Sequence, residues 1–177
     1  AQARRLACQR GGARVSGAQG EGGRRVLDVQ RLGVRFETKE RVVDAVRDLS
    51  FHVDAGETLA IVGESGSGKS VSSLALMRLV ENGGGRITSG RMQFHRRDGR
   101  RLDLAQASPA TMRGIRGAEM AMVFQEPMTS LNPVFPVGEQ IAESIRLHQR
   151  LGRAAALAEA LRMLDLVRIP EAKSVLG

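Results

Sequence analysis

Apolar and polar residues alternate along two stretches of the chain, residues 26–36 and 42–53, and a turn signal follows at residues 54–56. A period of two is typical of half-buried strands. The next stretch, Thr58–Val62 (TLAIV), is apolar throughout, as expected of a central strand covered on both faces. This part of the sequence predicts an antiparallel β region followed by a buried strand.

Apolar residues spaced three and four apart predict three helices, over residues 70–80, 137–150 and 153–167. The first ends at the glycine-rich residues 82–85, which are typical of a helix C-terminus. Alternating strands and amphipathic helices favour an α/β fold.

The segment between the first two helices is predicted to contain a hairpin that turns at residues 98–99 (Asp-Gly). Residues 120–124 (MAMVF) form a second candidate for a buried strand, and the three prolines within residues 125–136 predict a loop after it.

The net charge of +8 over 177 residues is concentrated at one end. Residues 1–25 hold six arginines, one glutamate and many glycines, which predicts a disordered basic tail. The remainder has no tryptophan or tyrosine for base stacking, so no nucleic-acid partner is expected. One cysteine excludes an intramolecular disulfide, and no apolar run is long enough to cross a membrane.

One segment carries specific chemistry: GESGSGKS fits the pattern G-x-x-x-x-G-K-[ST] between a predicted strand and a predicted helix. Small residues let backbone N–H groups turn toward phosphate oxygens, and the helix directs the positive end of its dipole there. A glycine-rich turn without a ligand is the alternative. The predicted nucleotide-binding residues are Gly63, Glu64, Ser65, Gly66, Ser67, Gly68, Lys69 and Ser70.

Within this segment, Lys69 is predicted to bridge the β- and γ-phosphates, and Ser70 to give its hydroxyl to Mg²⁺. Gln125 follows the predicted strand at residues 120–124, at the edge where ligands bind in open α/β sheets. Taken alone, Gln125 fits a solvated loop better. Together with the phosphate loop it is predicted to coordinate Mg²⁺ through its carbonyl oxygen and to act with Lys69 in catalysis.

Three segments together resemble the ATP-binding subunits of ABC transporters, and among them the peptide importers. They are GESGSGKS (63–70), VFQEPMTSLNP (123–133) and VGEQIAESIRLHQ (137–149). The resemblance covers residues 26–177 and implies a P-loop NTPase fold of the ABC nucleotide-binding type.

The family organisation implies a P-loop core and β region over residues 26–125. Residues 126–177 would hold the Q-loop and the start of a helical subdomain. Residues 63–70 would be the Walker A loop, and Gln125 the Q-loop glutamine that contacts Mg²⁺ and links the nucleotide to the membrane subunits.

Two further roles follow from the resemblance. Phe36 would stack on adenine, although a place in the strand core is nearly as consistent with the sequence. Residues 128–135 would lie near the groove that receives a coupling helix from the membrane subunit.

The family also implies ATP and Mg²⁺ as cofactors, and a peripheral location on the cytoplasmic face of the inner membrane. Transmembrane permease subunits and a second nucleotide-binding domain would be partners, and a periplasmic binding protein would act indirectly. Closure of two such domains over two ATP molecules would drive uptake of glutathione or a small peptide, and hydrolysis would reset the transporter.

Three family motifs do not follow Gln125: an LSGGQ-like signature, an apolar strand ending in Asp-Glu, and a switch histidine. The chain is therefore expected to be an N-terminal fragment, an incomplete domain that hydrolyses ATP very weakly alone. Two alternatives stay open, a nucleotide-binding module without hydrolysis and a soluble P-loop ATPase that acts on nucleic acid.

Overall fold

The computed structural model describes the backbone of residues 3–7, and residues 23–38, 40–125 and 130–177 in full. The chain divides into two compact units, Ala1–Glu119 and Met120–Gly177. The division predicted after residue 125 falls inside the second unit. Each unit has its own secondary structure and its own buried residues.

The described strands belong to the first unit and form a two-stranded and a four-stranded sheet. They are β1 (Ala3–Ala7), β2 (Arg25–Glu37), β3 (Val42–Asp54), β4 (Thr58–Val62), β5 (Gly85–His95) and β6 (Arg101–Asp103). The four-stranded sheet is antiparallel in the order β3-β2-β5-β6, which confirms the antiparallel β region.

The alternation predicted for β2 holds at its start and is broken at Arg31. Leu27 and Val29 are buried, but Leu32 to Val34 are buried in succession because Arg31 has a φ of 50° and shifts the register. The hydroxyl of Ser50 accepts a hydrogen bond from the Arg31 N–H (2.8 Å). The Ser89 hydroxyl donates to the Arg31 carbonyl (3.2 Å), so the bulge leaves neither backbone group of Arg31 unpaired.

The predicted disordered tail is wrong at residues 3–7. These residues form β1 and pair in parallel with β4, from Ala3 opposite Thr58 to Ala7 opposite Val62. A strand edge presents N–H and C=O groups that need partners, and β1 supplies them along one edge of β4. The rest of the predicted tail includes residues 8–22 with Cys8, which lie outside the described residues.

The buried strand predicted at residues 120–124 is also wrong. Met120 forms a single β-bridge, and residues 121–124 have no regular secondary structure. Val123 is 90% exposed and Phe124 is 48% exposed. An apolar run becomes a strand only where a neighbouring strand takes its hydrogen bonds, and no strand among the described residues pairs with this run. The central residues of β4 are accordingly half-buried, whereas coverage on both faces was predicted.

Helix α1 (Lys69–Leu76) is shorter than predicted. A turn follows, in which Arg78 takes a φ of 52°, and a 3-10 helix spans Val80–Gly83. Met77 and Val80 are nevertheless buried, so the apolar face extends past the end of the α-helix. Helix α2 (Pro109–Ile115) completes the first unit.

The second unit is helical, as the pattern predicted. It contains α3 (Val137–Gln149), α4 (Arg153–Leu166) and α5 (Ala172–Val175). Its core is a cluster of small and branched side chains on α3 and α4, namely Ala142, Ile145, Ala156 and Ala160. Of the part of the chain that the structure describes, no helix is long and apolar enough to cross a membrane.

Candidate nucleotide-binding site

The predicted phosphate loop lies between β4 and α1, and two of its glycines occupy conformations that favour glycine. Gly66 and Gly68 have φ values of 78° and 88°. A Cβ atom at Gly68 would overlap the carbonyl oxygen of Ala45 and lie 3.3 Å from Cγ2 of Val46. The end of the loop therefore rests directly on β3, which a residue with a side chain would prevent.

Lys69 folds back over the loop that precedes it. Its Nζ donates to the carbonyl oxygens of Gly63 (2.7 Å) and Glu64 (2.6 Å), and lies 3.3 Å from the hydroxyl of Ser67. The positive charge is thus held inside the curve of the loop by backbone dipoles. This is the position that a cation needs if it is to meet an anion bound by the loop.

The first turn of α1 provides further donors. Gly68 is the N-cap residue and has no side chain to accept a hydrogen bond, so the N–H groups of the first turn remain available for another acceptor. Ser70 follows in this turn and is exposed. Backbone donors, an ammonium group and an exposed hydroxyl fit the phosphates of a nucleotide with its metal ion, because each group offers what a phosphate oxygen or Mg²⁺ requires.

An ion pair neutralises Asp44, the acidic residue next to Ala45, on which the loop packs. Asp44 precedes Ala45, and it accepts a hydrogen bond from Nε of Arg35 on β2 (2.6 Å). This hydrogen bond lowers the pKa of Asp44, and the charges of Arg35 and Arg47 lower it further. The carboxylate therefore stays ionised but is paired, which limits its repulsion of an anion on the loop.

Phe36 lies on β2 in the same unit. It pairs with Gly85 of β5 on one side and Val43 of β3 on the other. A Cβ atom at Gly85 would come within 2.7 Å of the phenyl ring, so the ring packs over the backbone of that glycine. The side chain is half-buried, which leaves part of the ring exposed. The structure thus supports the packing role, and adenine stacking stays a prediction.

Gln125 lies in the second unit, at a bend, with its side chain exposed. The structure brings together the residues of the phosphate loop, and it does not assign Gln125 to the same site. The role of Gln125 as a Mg²⁺ ligand stays a prediction. Of the segment predicted to receive a coupling helix, residues 128 and 129 lie outside the described residues, and residues 130–135 are exposed.

Two arginines that the sequence analysis did not single out fasten the far end of α1. Nη1 of Arg78 donates to three carbonyl oxygens in the loop before α2, those of Leu104 (3.2 Å), Ala105 (3.0 Å) and Ala107 (3.0 Å). Nε of Arg116 donates to the carbonyl of Met77 (2.8 Å). The partners are 26 to 39 residues apart in sequence, so no local pattern reveals them.

Gln140 of α3 was also missed, and it organises the loop after Gln125. Its amide donates to the carbonyls of Asn132 (2.9 Å) and Phe135 (2.8 Å), and its side-chain oxygen accepts from the Asn132 N–H (2.9 Å). One side chain therefore satisfies three backbone groups of this exposed loop.

Residues 46–176 match the sequence profile of the family described as "ABC transporter". Because this match covers well over half of the chain, the chain belongs to the ABC transporter family. It includes the phosphate loop, α1 and the helices of the second unit. The resemblance and the P-loop NTPase fold predicted from the sequence are confirmed.

Among curated proteins, the chain is similar to glutathione import ATP-binding proteins. It is 70% identical over 153 residues to GsiA of Pectobacterium atrosepticum, which covers 86% of this chain and 25% of that protein. It is 60% identical over 154 residues to GsiA of Salmonella choleraesuis, and this match covers 87% of this chain and 25% of that protein. The chain thus spans about a quarter of the length of the curated relatives it matches.

Solved structures agree on the fold. The dimeric structure of a bacterial ABC transporter cassette matches with a TM-score of 0.66 at 19% identity, covering 82% of this chain and 58% of that one. The same cassette in a post-hydrolysis state bound to ADP and Pi matches with a TM-score of 0.60 at 19% identity, covering 78% and 57%.

Proposed function

We propose that this chain is part of the ATP-binding subunit of an ABC importer, which couples ATP binding and hydrolysis to the uptake of glutathione or a small peptide. The observation that supports this most is the phosphate loop with Lys69 drawn inside it. Relatives that are 60–70% identical bear the name glutathione import ATP-binding protein, and this supports the substrate.

In this proposal the residues of the loop divide the work of holding MgATP. Backbone N–H groups from residues 63–70 bind the phosphate oxygens, and Lys69 exchanges its carbonyl partners for the β- and γ-phosphates. Ser70 and Gln125 hold Mg²⁺ with their oxygens. The metal ion would neutralise part of the phosphate charge, and the chain's own residues would hold the phosphates in position.

The proposed subunit lies on the cytoplasmic face of the inner membrane, where it binds permease subunits and pairs with a second nucleotide-binding domain. One cassette similar in fold to this chain is dimeric in both of the solved structures described above, which supports the pairing. The loop at residues 130–135, organised by Gln140, is the proposed contact with the permease. The 177-residue chain alone is proposed to hydrolyse ATP very weakly, since phosphoryl transfer also needs a group that orients water.

An uptake assay tests the proposal. A strain that lacks its own glutathione importer would be complemented with the full-length protein, and accumulation of labelled glutathione measured. The Lys69→Ala variant should abolish uptake, whereas Lys173→Ala, at an exposed position on α5, should retain it. Full uptake by Lys69→Ala would refute the assignment of the loop. Uptake of a labelled dipeptide but not of glutathione would correct the substrate.

A further inference from the structure

The β5–β6 hairpin is strongly basic. Between residues 86 and 103 it has six arginines and only two aspartates. The turn is well formed: the Arg96 N–H donates to the carbonyl of Arg100 (2.9 Å), and Gly99 has a φ of 85°. Residues 97–101 are all exposed. The arginines are Arg86, Arg91, Arg96, Arg97, Arg100 and Arg101.

The nearby carboxylates are occupied in shaping the turn. Asp98 accepts hydrogen bonds from the N–H (2.9 Å) and Nε (2.9 Å) of Arg100. Glu119 accepts from Nη2 of Arg96 (2.6 Å) and from the N–H of Arg97 (3.1 Å). These hydrogen bonds lower the pKa of both carboxyl groups, so both remain ionised and engaged with Arg96 and Arg100.

Of the other four arginines, Arg86 pairs with Glu37 on β2, and Arg91 is at the distance limit of an ion pair with Asp103. Within the part of the chain that the structure describes, no acidic side chain pairs with Arg97 or Arg101. Arg101 lies opposite His95, on the face of the sheet away from the buried Phe94, and Arg91 projects on this same outer face. Arg91 is 65% exposed, and its nearest carboxylate oxygen, on Asp103, is 4.0 Å away. We call Arg91, Arg97 and Arg101 the hairpin arginines.

We propose that the hairpin arginines bind the phosphate groups of an anionic phospholipid surface. The arginines are spread over an exposed strand pair and a projecting turn, which suits many shallow contacts with a charged plane. The absence of tryptophan and tyrosine disfavours a nucleic-acid strand that stacks its bases. The choice of a membrane rests on the proposed function, because that function keeps the chain beside lipid headgroups. Each basic residue near an anionic bilayer makes its own favourable contribution to the free energy of binding.

Vesicle binding of the full-length protein tests this proposal. Vesicles of phosphatidylcholine alone would be compared with vesicles that also contain phosphatidylglycerol, at two salt concentrations. The Arg97→Gln/Arg101→Gln variant should bind the anionic vesicles about 25-fold more weakly, at about fivefold for each arginine. Binding should weaken as salt rises from about 0.1 M to about 1 M, because the Debye length falls from about 10 Å to about 3 Å.

The matched control is Arg113→Gln/Arg146→Gln, which removes the same charge from two exposed positions on α2 and α3. It should stay within about twofold of the unaltered protein. Equal loss in both variants would overturn the proposal, since net charge alone would then explain it. Equal binding of the unaltered protein to neutral and to anionic vesicles would overturn it too. So would an Arg97→Gln/Arg101→Gln variant that loses binding to duplex DNA but keeps its binding to anionic vesicles.

ATP affinity measured on the same samples separates this inference from the proposed function. If the unaltered protein binds ATP and the hairpin variant binds vesicles as well as the control does, the inference fails and the proposed function stands. If the unaltered protein does not bind ATP, the proposed function fails.

Discussion

The Nζ atom of Lys69 lies 2.7 Å from the carbonyl oxygen of Gly63, so the last part of the phosphate loop is tied to its first residue. The same ammonium group is 2.6 Å from the carbonyl of Glu64. A phosphate that enters the loop must replace these contacts, and it offers a full negative charge where the carbonyls offer partial ones. The loop is therefore held in shape by the residue that its ligand would take over.

Replacing Gly68 should disrupt the loop. The Gly68→Ala variant adds a Cβ that overlaps the Ala45 carbonyl, and it forces alanine to a φ of 88°. The conformation costs about 1–2 kcal/mol and the overlap about 1–3 kcal/mol more. We expect reduced protection of the α1 amides in hydrogen exchange and a clear loss of ATP affinity.

Gly99→Ala is the control for this variant, because Gly99 has a φ of 85° but open space around its Cβ position. Gly99→Ala should have the conformational cost without the steric overlap, and its effect should be confined to the hairpin turn. If Gly99→Ala and Gly68→Ala lowered ATP affinity equally, the close packing of the loop on β3 would be irrelevant to nucleotide binding.

The two roles of Phe36 predict different nucleotide selectivity. If the exposed part of the ring stacks on adenine, Phe36→Leu should weaken ATP binding by about 1–3 kcal/mol and leave binding of inorganic tripolyphosphate unchanged. If the ring only packs over Gly85, both affinities should change together or neither should. Titration with both ligands decides, and Phe94→Leu in the core of the same sheet shows the effect of lost packing alone.

Arg78 should stabilise the end of α1. Its side chain is 17% exposed and donates to three carbonyl oxygens, which Arg78→Met would leave without this donor. The expected loss is about 1–3 kcal/mol, visible as faster hydrogen exchange of the amides around residues 104–107. Arg113→Met, at an exposed site on α2, should change the exchange by less than about 0.5 kcal/mol. Unchanged exchange in Arg78→Met would contradict the role given to Arg78.

The pair of Arg96 and Glu119 should make the hairpin sensitive to acid. The pKa of Glu119 in the folded chain lies below its ordinary value of 4.5, chiefly because of the hydrogen bond from Arg96. A lowered folded pKa means that the pair stabilises at neutral pH and that the contribution is lost as pH falls below 4.5 and through the folded value.

The matching measurement is hydrogen exchange of the hairpin amides as a function of pH. Glu119→Gln should lose about 1–2 kcal/mol of local stability at neutral pH and differ little from the unaltered protein in acid. Glu143→Gln, at an exposed position on α3, should match the unaltered protein within about 0.5 kcal/mol at neutral pH. A Glu119→Gln deficit that stays constant into acid would rule out the ion pair as its cause.

The sequence predicts well those features that depend on neighbouring residues. The antiparallel strands, the helices of the second unit and the phosphate loop follow from period, glycine content and motif. Burial in a sheet depends on a partner strand elsewhere in the chain, which explains the errors at residues 120–124 and residues 3–7. The contacts of Arg78 with the loop before α2 are equally non-local. The sequence around Arg78 would look the same if its side chain were exposed to solvent.

The most direct test of the central claim is a calorimetric titration of the full-length protein with MgATP. Lys69→Ala removes the ammonium group that the loop holds, and Lys173→Ala removes one at an exposed position on α5. A charge-assisted hydrogen bond contributes about 1.5–3 kcal/mol, so affinity at the site should fall by at least about tenfold in Lys69→Ala and stay unchanged in Lys173→Ala. Equal affinity and an equal number of sites in both variants would contradict the assignment of residues 63–70 as the nucleotide-binding loop.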